Sequence, residues 1–403
     1  MTKPLENVKV LDFSRVLAGP YCAMMLADLG AEIIKVEPPV VGDDSRHFGP
    51  PFINGESIYF MSINRGKKSI VLNLKTDKGK EIIKEIIKKC DVLLENFRPG
   101  TMEKLGLGYE DLKKINPRLI YAACSGFGHY GPDSLKPGYD LILQAKGGIM
   151  SITSYKENGP YTRVGVSEAD IIAGMITAFA ISSKLYQRQI DGKGDKIDVA
   201  MLDSQIAFMT PMIANYLNVG KISKPVGNRH PLVSPFEVFK TKDASVVITA
   251  GNNKLFHQLC DILKIPKLKN NELFKDNPSR VVNNSKLKIA LERQTKKFGT
   301  DELLDILYKT GIPASKINTV KEAVEEPQVI ARNMLQKVKH KKTGEVKLHG
   351  IPAKIKSCDD NIKIPPPRLG EHTKEILKKY LNYGDHEINN LVKENIVSLE
   401  INS

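Results

Sequence analysis

Aromatic residues make up only 6% of this 403-residue chain, and no long basic run is interleaved with them. Nucleic-acid surfaces combine stacking rings with a cationic track, so nucleic acid is not an expected partner. No stretch reaches the roughly 18 uncharged apolar residues of a membrane span. Met1-Thr2-Lys3-Pro4 is followed by no apolar signal core. The expectation is a soluble, cytoplasmic protein with no membrane partner. Cysteine is sparse: Cys22, Cys90, Cys124, Cys260 and Cys358 are odd in number and widely spaced. That argues against a disulfide framework or zinc cluster and for a reducing cytosol. The eight histidines lack metal-ligand spacing, so no metal is expected. HExxH, Walker A and GxGxxG patterns are missing, and Ser125-Gly126-Phe127-Gly128 lacks the leading glycine of a hydrolase elbow.

Positive charge is in excess: 60 Lys and Arg against 46 Asp and Glu, a formal +14. The lysines are spread along the chain, mostly beside glutamates, as in residues 78–89. This is either a solvated surface or a field that draws a small polyanion such as an anionic cofactor. Hydrophobic residues, at 41%, suffice for a real core, and the length suits two or three domains or one large domain with a smaller partner.

The first forty residues read as strand, helix, strand. Val8-Lys9-Val10-Leu11-Asp12-Phe13 is a buried-strand run, Ala18-Gly19-Pro20 a turn, 21–29 an apolar helix, and Glu32-Ile33-Ile34-Lys35-Val36-Glu37 a second strand. Short connections make this a right-handed βαβ unit of a parallel sheet. The pattern repeats. Thr76 can cap a helix through Cys90, strands fit 91–95 and 118–125, and a short helix fits 109–115. An open α/β sheet covered on both faces follows, with ligands beyond the carboxyl ends of its strands. A long apolar helix is expected from about Asp170 to Arg188, and residues 196–200 read as strand or helix. The expected division is 1–219 as a large domain, 220–235 as a Gly- and Pro-rich linker, 236–327 as a small α+β domain opening on a hairpin, and 328–403 as linker and tail, with a helix from Thr373.

Two features could carry chemistry. Ser125-Gly126-Phe127-Gly128-His129-Tyr130-Gly131-Pro132 follows a strand, and its glycines let backbone N–H groups approach a ligand, or simply make a tight turn. Asp170 opens an apolar helix, where the dipole favours its charge. It is either an N-cap or a carboxylate nucleophile that forms a covalent intermediate.

Ordered blocks along nearly the whole chain are more specific. They are Val10-Leu11-Asp12-Phe13-Ser14-Arg15-Val16-Leu17-Ala18-Gly19-Pro20, Leu26-Ala27-Asp28-Leu29-Gly30-Ala31-Glu32-Ile33-Ile34-Lys35-Val36-Glu37, Asn64-Arg65-Gly66-Lys67-Lys68-Ser69 and Glu95-Asn96-Phe97-Arg98-Pro99-Gly100. Ser125-Gly126-Phe127-Gly128, Pro137-Gly138-Tyr139-Asp140, Asp170 with Gly174, Gly311-Ile312-Pro313 and Leu369-Gly370-Glu371-His372-Thr373 continue the series. With these the chain resembles the class III CoA transferases (CaiB/BaiF type), a family that includes α-methylacyl-CoA racemases. The resemblance implies a large Rossmann-like domain built from both chain ends, a small inserted domain, and a homodimer of interlocked subunits. It implies CoA thioesters as substrates, carboxylic acids as acceptors, and no permanently bound cofactor or metal. The family's nucleophilic aspartate falls on Asp170, which would carry an aspartyl-CoA thioester. CoA contacts fall on Val16, Leu17, Leu72, Asn73, Leu74, Lys75, Asn96, Phe97, Arg98, Lys104, Pro137, Gly138, Tyr139 and Asp140, with Lys75, Arg98 and Lys104 as phosphate partners.

Departures narrow the activity. Racemases carry a histidine where this chain has Tyr139, so a two-base proton shuttle lacks a base. Formyl-CoA:oxalate transferases carry a glycine run where this chain has Gly251-Asn252-Asn253, which weakens oxalate specificity. Pro38 replaces a basic residue that often holds CoA, leaving Arg46 or a nearby lysine to take its place. Gly42-Asp43-Asp44-Ser45-Arg46, Gly49-Pro50-Pro51-Phe52, Leu105-Gly106-Leu107-Gly108-Tyr109-Glu110-Asp111 and Ile213-Ala214-Asn215-Tyr216-Leu217 look most like the succinyl-CoA-dependent transferases of glutarate and hydroxymethylglutarate. A dicarboxylate needs a cation for its far carboxylate, and Arg163 and Arg229 are candidates. The alternatives are an α-methylacyl-CoA racemase and a CoA-binding protein without turnover.

Overall fold

A computed structural model describes residues 2–400. The chain forms two compact units. One gathers everything up to Ile149, Arg163–Lys221, and the chain from Pro327 onward; the other gathers Met150–Thr162 and Ile222–Glu326. Most of the segment read as a linker thus groups with the second unit, together with residues 150–162. Gly227 N–H donates to the Ser154 carbonyl at 3.2 Å, and Lys224 pairs with Glu157 at 2.6 Å.

The first unit is built on a seven-stranded sheet. In chain order its main elements are β1 (Lys9–Asp12), α1 (Ala18–Asp28), β2 (Glu32–Glu37), β3 (Lys67–Leu72), α2 (Asp77–Ile87), β4 (Val92–Glu95), β5 (Ile120–Ser125), α3 (Asp140–Lys146), α4 (Glu168–Asp191) and β6 (Asp195–Ala200). Across the sheet the order is Val397–Ser398, β3, β2, β1, β4, β5, β6. The six numbered strands run parallel, and Val397–Ser398 pairs antiparallel with β3. Both faces are covered, so neighbouring residues on one strand enter different cores. Leu11, Ile34, Leu93 and Tyr121 meet α2 and the tail helices Thr373–Leu381 and Asp385–Lys393. Val10, Ile33, Leu94 and Ala122 meet α1 and α4.

Local chemistry sets the element ends. Thr76 accepts the Gly79 N–H at 3.1 Å and caps α2, whose Ile82, Ile83, Ile86 and Ile87 are buried. Ala18-Gly19-Pro20 is the first turn of α1 rather than a turn before it; proline is tolerated there because a first-turn N–H needs no intrahelical partner. Residues 196–200 belong to a strand, β6. Helix α4 starts at Glu168, so Asp170 lies inside its first turn and is not its cap. By length and composition α4 could cross a membrane. Its buried Ala173, Ala178, Ile181 and Leu185 pack instead against α1 and the sheet.

In the second unit, Phe236–Lys240 and Ser245–Thr249 form the expected hairpin, extended by Ala314–Lys316 into a three-stranded antiparallel sheet. Phe239, Val246, Ile248, Phe256 and Leu303 centre its core.

Candidate active site

Strand order places the site. From β1 the chain steps to β2 and β3 on one side, then returns to β4 on the other. Loops leaving β1 and β4 therefore part company and leave a crevice at their carboxyl ends. A cavity of about 350 Å³ lies there. Arg15, Val16 and Ala18 line it after β1, Asn96 to Pro99 after β4, and Cys124 to Gly126 at the end of β5. Met201 follows β6, and Pro137 to Tyr139 and Asp170 close the wall.

Each wall is fixed from behind. Asn96 clamps the first loop by accepting the Arg15 N–H at 2.8 Å and donating to the Arg15 carbonyl at 2.7 Å. Val16 has φ 68°, a strained setting for a β-branched residue, and its N–H donates to Asp43 Oδ1 at 3.1 Å. Buried Lys35 donates to the Ser14 carbonyl at 2.7 Å and pairs with Asp43 at 2.8 Å. Gly126 and Gly138 touch, and a Cβ on either would stand 2.9 Å from the other's Cα.

Asp170 is carried in by close packing of helices. A Cβ at Gly174, one turn on, would lie 2.6 Å from the Ala18 carbonyl, so only glycine lets α4 approach α1 this closely. The Ala18 N–H, at the start of α1, donates to the Asp170 carboxylate. That donor and two helix N-termini favour the charge. Burial and the neighbouring Asp140 act against it and prevail, pushing the Asp170 carboxyl up to about 7. Asp140 orients the helix: its Oδ1 accepts the Ala169 N–H at 3.0 Å and its Oδ2 a bond from Gln144 at 2.8 Å. Burial and Asp140 also push Glu168 up to about 7. The site thus holds a shielded carboxylate that titrates near neutrality, backbone donors and three cations on its wall: Arg15, Arg98 and Lys136.

Of the residues assigned by resemblance, Val16, Asn96, Phe97, Arg98, Pro137, Gly138, Tyr139 and Asp170 come together around this cavity. Leu17 is buried just behind it, and Asp140 is buried at the start of α3. Leu72 ends β3 and Asn73 to Lys75 follow it, two strands away at the same edge of the sheet, and Lys104 ends the helix Thr101–Lys104. Lys75, Arg98 and Lys104 are exposed.

Arg46 does not supply the cation missing at Pro38. It is locked onto Glu37 by two 2.7 Å bonds, stacks 3.8 Å from the Phe60 ring, and is buried. Arg163 does not line the cavity; it is exposed and donates to the Gly165 carbonyl at 3.3 Å, while Arg229 belongs to the second unit. Arg15 does line it, half-exposed, 3.3 Å from Asp44 and 5.1 Å from the Phe97 ring. Tyr59, from the short helix Ile58–Ile63, was not anticipated. Burial, then Asp170, Asp43 and Asp140, push its phenol up to about 12, which marks it as a neighbour of the site. Only proximity in space reveals it.

The model of "CoA-transferase family III" matches residues 5–373. The succinyl-CoA:glutarate CoA-transferase of Homo sapiens is 42% identical over 395 residues, 98% of this chain and 90% of that protein. The acetyl-CoA:oxalate CoA-transferase of Acetobacter aceti is 44% identical over 379 residues, 94% and 96% of the two chains. A solved CAIB/BAIF family protein from Brucella suis superposes with a TM-score of 0.84 at 39% identity, covering 94% of this chain and all of that one.

Proposed function

We propose that this chain, which belongs to CoA-transferase family III, moves CoA from a donor such as succinyl-CoA to a free dicarboxylic acid through an aspartyl-CoA thioester on Asp170. Membership makes it a CoA-transferase; donor, acceptor and covalent route are our reading. The observation that carries the route is Asp170 itself, a carboxylate without a cation partner among the described residues, on the wall of a cavity at the carboxyl edge of the sheet. Its ionised Oδ attacks the donor thioester carbonyl; the C–S bond breaks, giving a mixed anhydride and CoA thiolate. The thiolate attacks the aspartyl carbonyl and releases the first acid, leaving aspartyl-CoA. The acceptor carboxylate then runs the two steps in reverse. Backbone N–H groups such as that of Ala18 are the donors at hand for the developing oxyanions.

The acceptor class rests on the names of the relatives and on the three wall cations, of which Arg15 takes the place of Arg163 as a candidate for the far carboxylate. Oxalate belongs among the acids tested. Exchange of succinyl-CoA with a panel of mono- and dicarboxylic acids, read by mass spectrometry, should yield a dicarboxylyl-CoA product. Asp170→Ala should lower it at least about 1,000-fold while CoA still binds, as loss of a covalent nucleophile does. A variant keeping most of its turnover would sink the covalent route.

Residues 1–219 with the tail remain our proposed CoA-binding domain, and 236–327 the inserted one. An interlocked homodimer has support in the apolar faces one chain leaves open. Phe179, Tyr186 and Ile190 on α4 are each more than 70% exposed, and the helix Thr210–Val219 has no buried residue. Light scattering on the eluting protein should give twice the 44.8 kDa chain mass; a monomer would refute this. The cytoplasm remains our proposed compartment, in keeping with five widely spaced cysteines, an odd number.

A further inference from the structure

Behind residues 96–99 lies a buried cluster that the transfer chemistry leaves unused. Glu95, the last residue of β4, is 2% exposed. Its Oε2 accepts the Phe97 N–H at 2.7 Å, and its Oε1 accepts the Tyr121 hydroxyl at 3.4 Å. His129 Nε2 faces the same Oε1 at 3.5 Å and, though buried, makes no hydrogen bond. The other ring nitrogen, Nδ1, lies 3.1 Å from Lys196 Nζ. An ammonium only donates, so the network assigns Nδ1 as acceptor and puts the ring proton on Nε2, aimed at Glu95. Asp198 Oδ2 accepts the His129 backbone N–H at 2.9 Å. Glu103, from the helix Thr101–Lys104, adds a further negative charge.

The electrostatics follow the geometry. Burial pushes the Glu95 carboxyl up to about 7; Glu103 adds to this, while the Phe97 N–H, Tyr121 and Lys196 oppose it. Burial, with Lys196 alongside, holds His129 below its ordinary value, although Asp198 and Glu103 pull the other way. Near neutrality the histidine is therefore a neutral donor facing an acid that can gain or lose its proton.

Each of these groups leads to a wall of the cavity. Phe97 and its neighbours Asn96 and Arg98 line it. His129 lies on the loop that begins at Ser125 and Gly126, and Lys196 and Asp198 lie on β6, which runs into Met201. We propose that Glu95 is a positioning residue for the CoA thioester. As a carboxylate it holds the turn at 96–98 through the Phe97 N–H and draws the His129 loop against that turn. Protonated, it is a weaker acceptor for the Phe97 N–H and loses the charge that attracts the His129 Nε2–H 3.5 Å away, so both loops are loosened. The inference rests on the reading of these loops as the CoA site.

The test is calorimetric titration of CoA into the full-length protein from pH 6 to 8.5. A CoA phosphate also titrates in this range, near pH 6, so the informative quantity is the difference between the unsubstituted protein and Glu95→Gln. Glutamine can still accept the Phe97 N–H but carries no charge. The unsubstituted protein should gain about fivefold more in affinity across the range than the variant, the margin between a charge-assisted and a neutral hydrogen bond. In turnover the change should fall on KM for the thioester rather than on kcat. A purely structural Glu95 would lower Tm and leave the pH dependence of the Kd in place; matching Kd profiles for the two proteins overturn the proposal. Should Glu95→Gln not fold, His129→Leu removes the Nε2–H donor and must move the midpoint of the affinity change to higher pH. An unmoved midpoint is equally fatal. If CoA bound neither protein at any pH, the CoA-site reading would fall, and this inference with it.

Discussion

Asp43 and Asp170 are both shielded carboxylates near the first loop of the sheet, yet burial has opposite outcomes for them. Asp43 is fully buried. Burial alone would raise its pKa, but Lys35 at 2.8 Å and the N–H groups of Ser45 and Val16 hold it well below the carboxylate range. Glu37 repeats the pattern: burial would raise its pKa, but Arg46, Lys35 and the Ser69 hydroxyl together lower it. Asp170 has one backbone donor and an acidic neighbour, and its pKa rises. A paired acid spends its charge on holding the loop that carries Val16. An acid left without a cation keeps a proton equilibrium near neutrality and a lone pair free to react. The presence of a cation partner, more than burial, decides whether a shielded carboxylate here stays ionised or keeps a titratable proton, as Glu95 and Glu168 also show. Of these three titratable acids only Asp170 lines the cavity, and that position is what marks it as the proposed nucleophile.

The largest test of this contrast removes the cation. Lys35→Met leaves Asp43 without its ion partner in a dry site, and we expect it to cost about 3–5 kcal/mol in urea unfolding at pH 7. The sign with pH is fixed by the lowered native pKa of Asp43. The stability that Asp43 contributes is present above its unfolded pKa of 3.8 and fades as pH falls through the native value. The gap between parent and variant should therefore narrow below about pH 4. A loss under about 1 kcal/mol at pH 7 would mean that the network is not what holds the loop.

The same distinction explains how much could be read in advance. The parallel strands were legible because both of their faces are buried and their apolar runs are continuous, as in Val8 to Phe13. Asp170, Asn96 to Arg98 and Pro137 to Tyr139 were legible through family blocks. Strand β3 was not: Lys67 and Ser69 are polar yet fully buried, satisfied by Asp12 two strands away and Glu37 on the neighbouring strand, and such pairing leaves no mark in the local pattern. The hairpin Leu335–His340 with Gly344–His349 was missed as well. The role of Arg46 misled for a related reason. A free arginine and one locked to Glu37 look alike in sequence, and only the two 2.7 Å bonds separate them.

A smaller and more pointed test concerns the origin of the raised pKa at Asp170. On the proposed route attack needs the ionised carboxylate, so exchange at saturating acyl-CoA, where a Glu95 effect on KM is silent, should rise about tenfold between pH 6 and pH 8, with a midpoint near 7. Burial is the first cause of that midpoint and Asp140 the second. Asp140→Asn separates them. The asparagine keeps an oxygen to accept the Ala169 N–H, so α4 retains its orientation, while the neighbouring negative charge is gone. The acid limb should then move to lower pH, with the plateau rate changed far less than the midpoint. A midpoint that stays near 7 would make desolvation the whole cause. The contrast with Asp43 would then reduce to the presence of a cation in one place and none in the other, with no part played by the second acid.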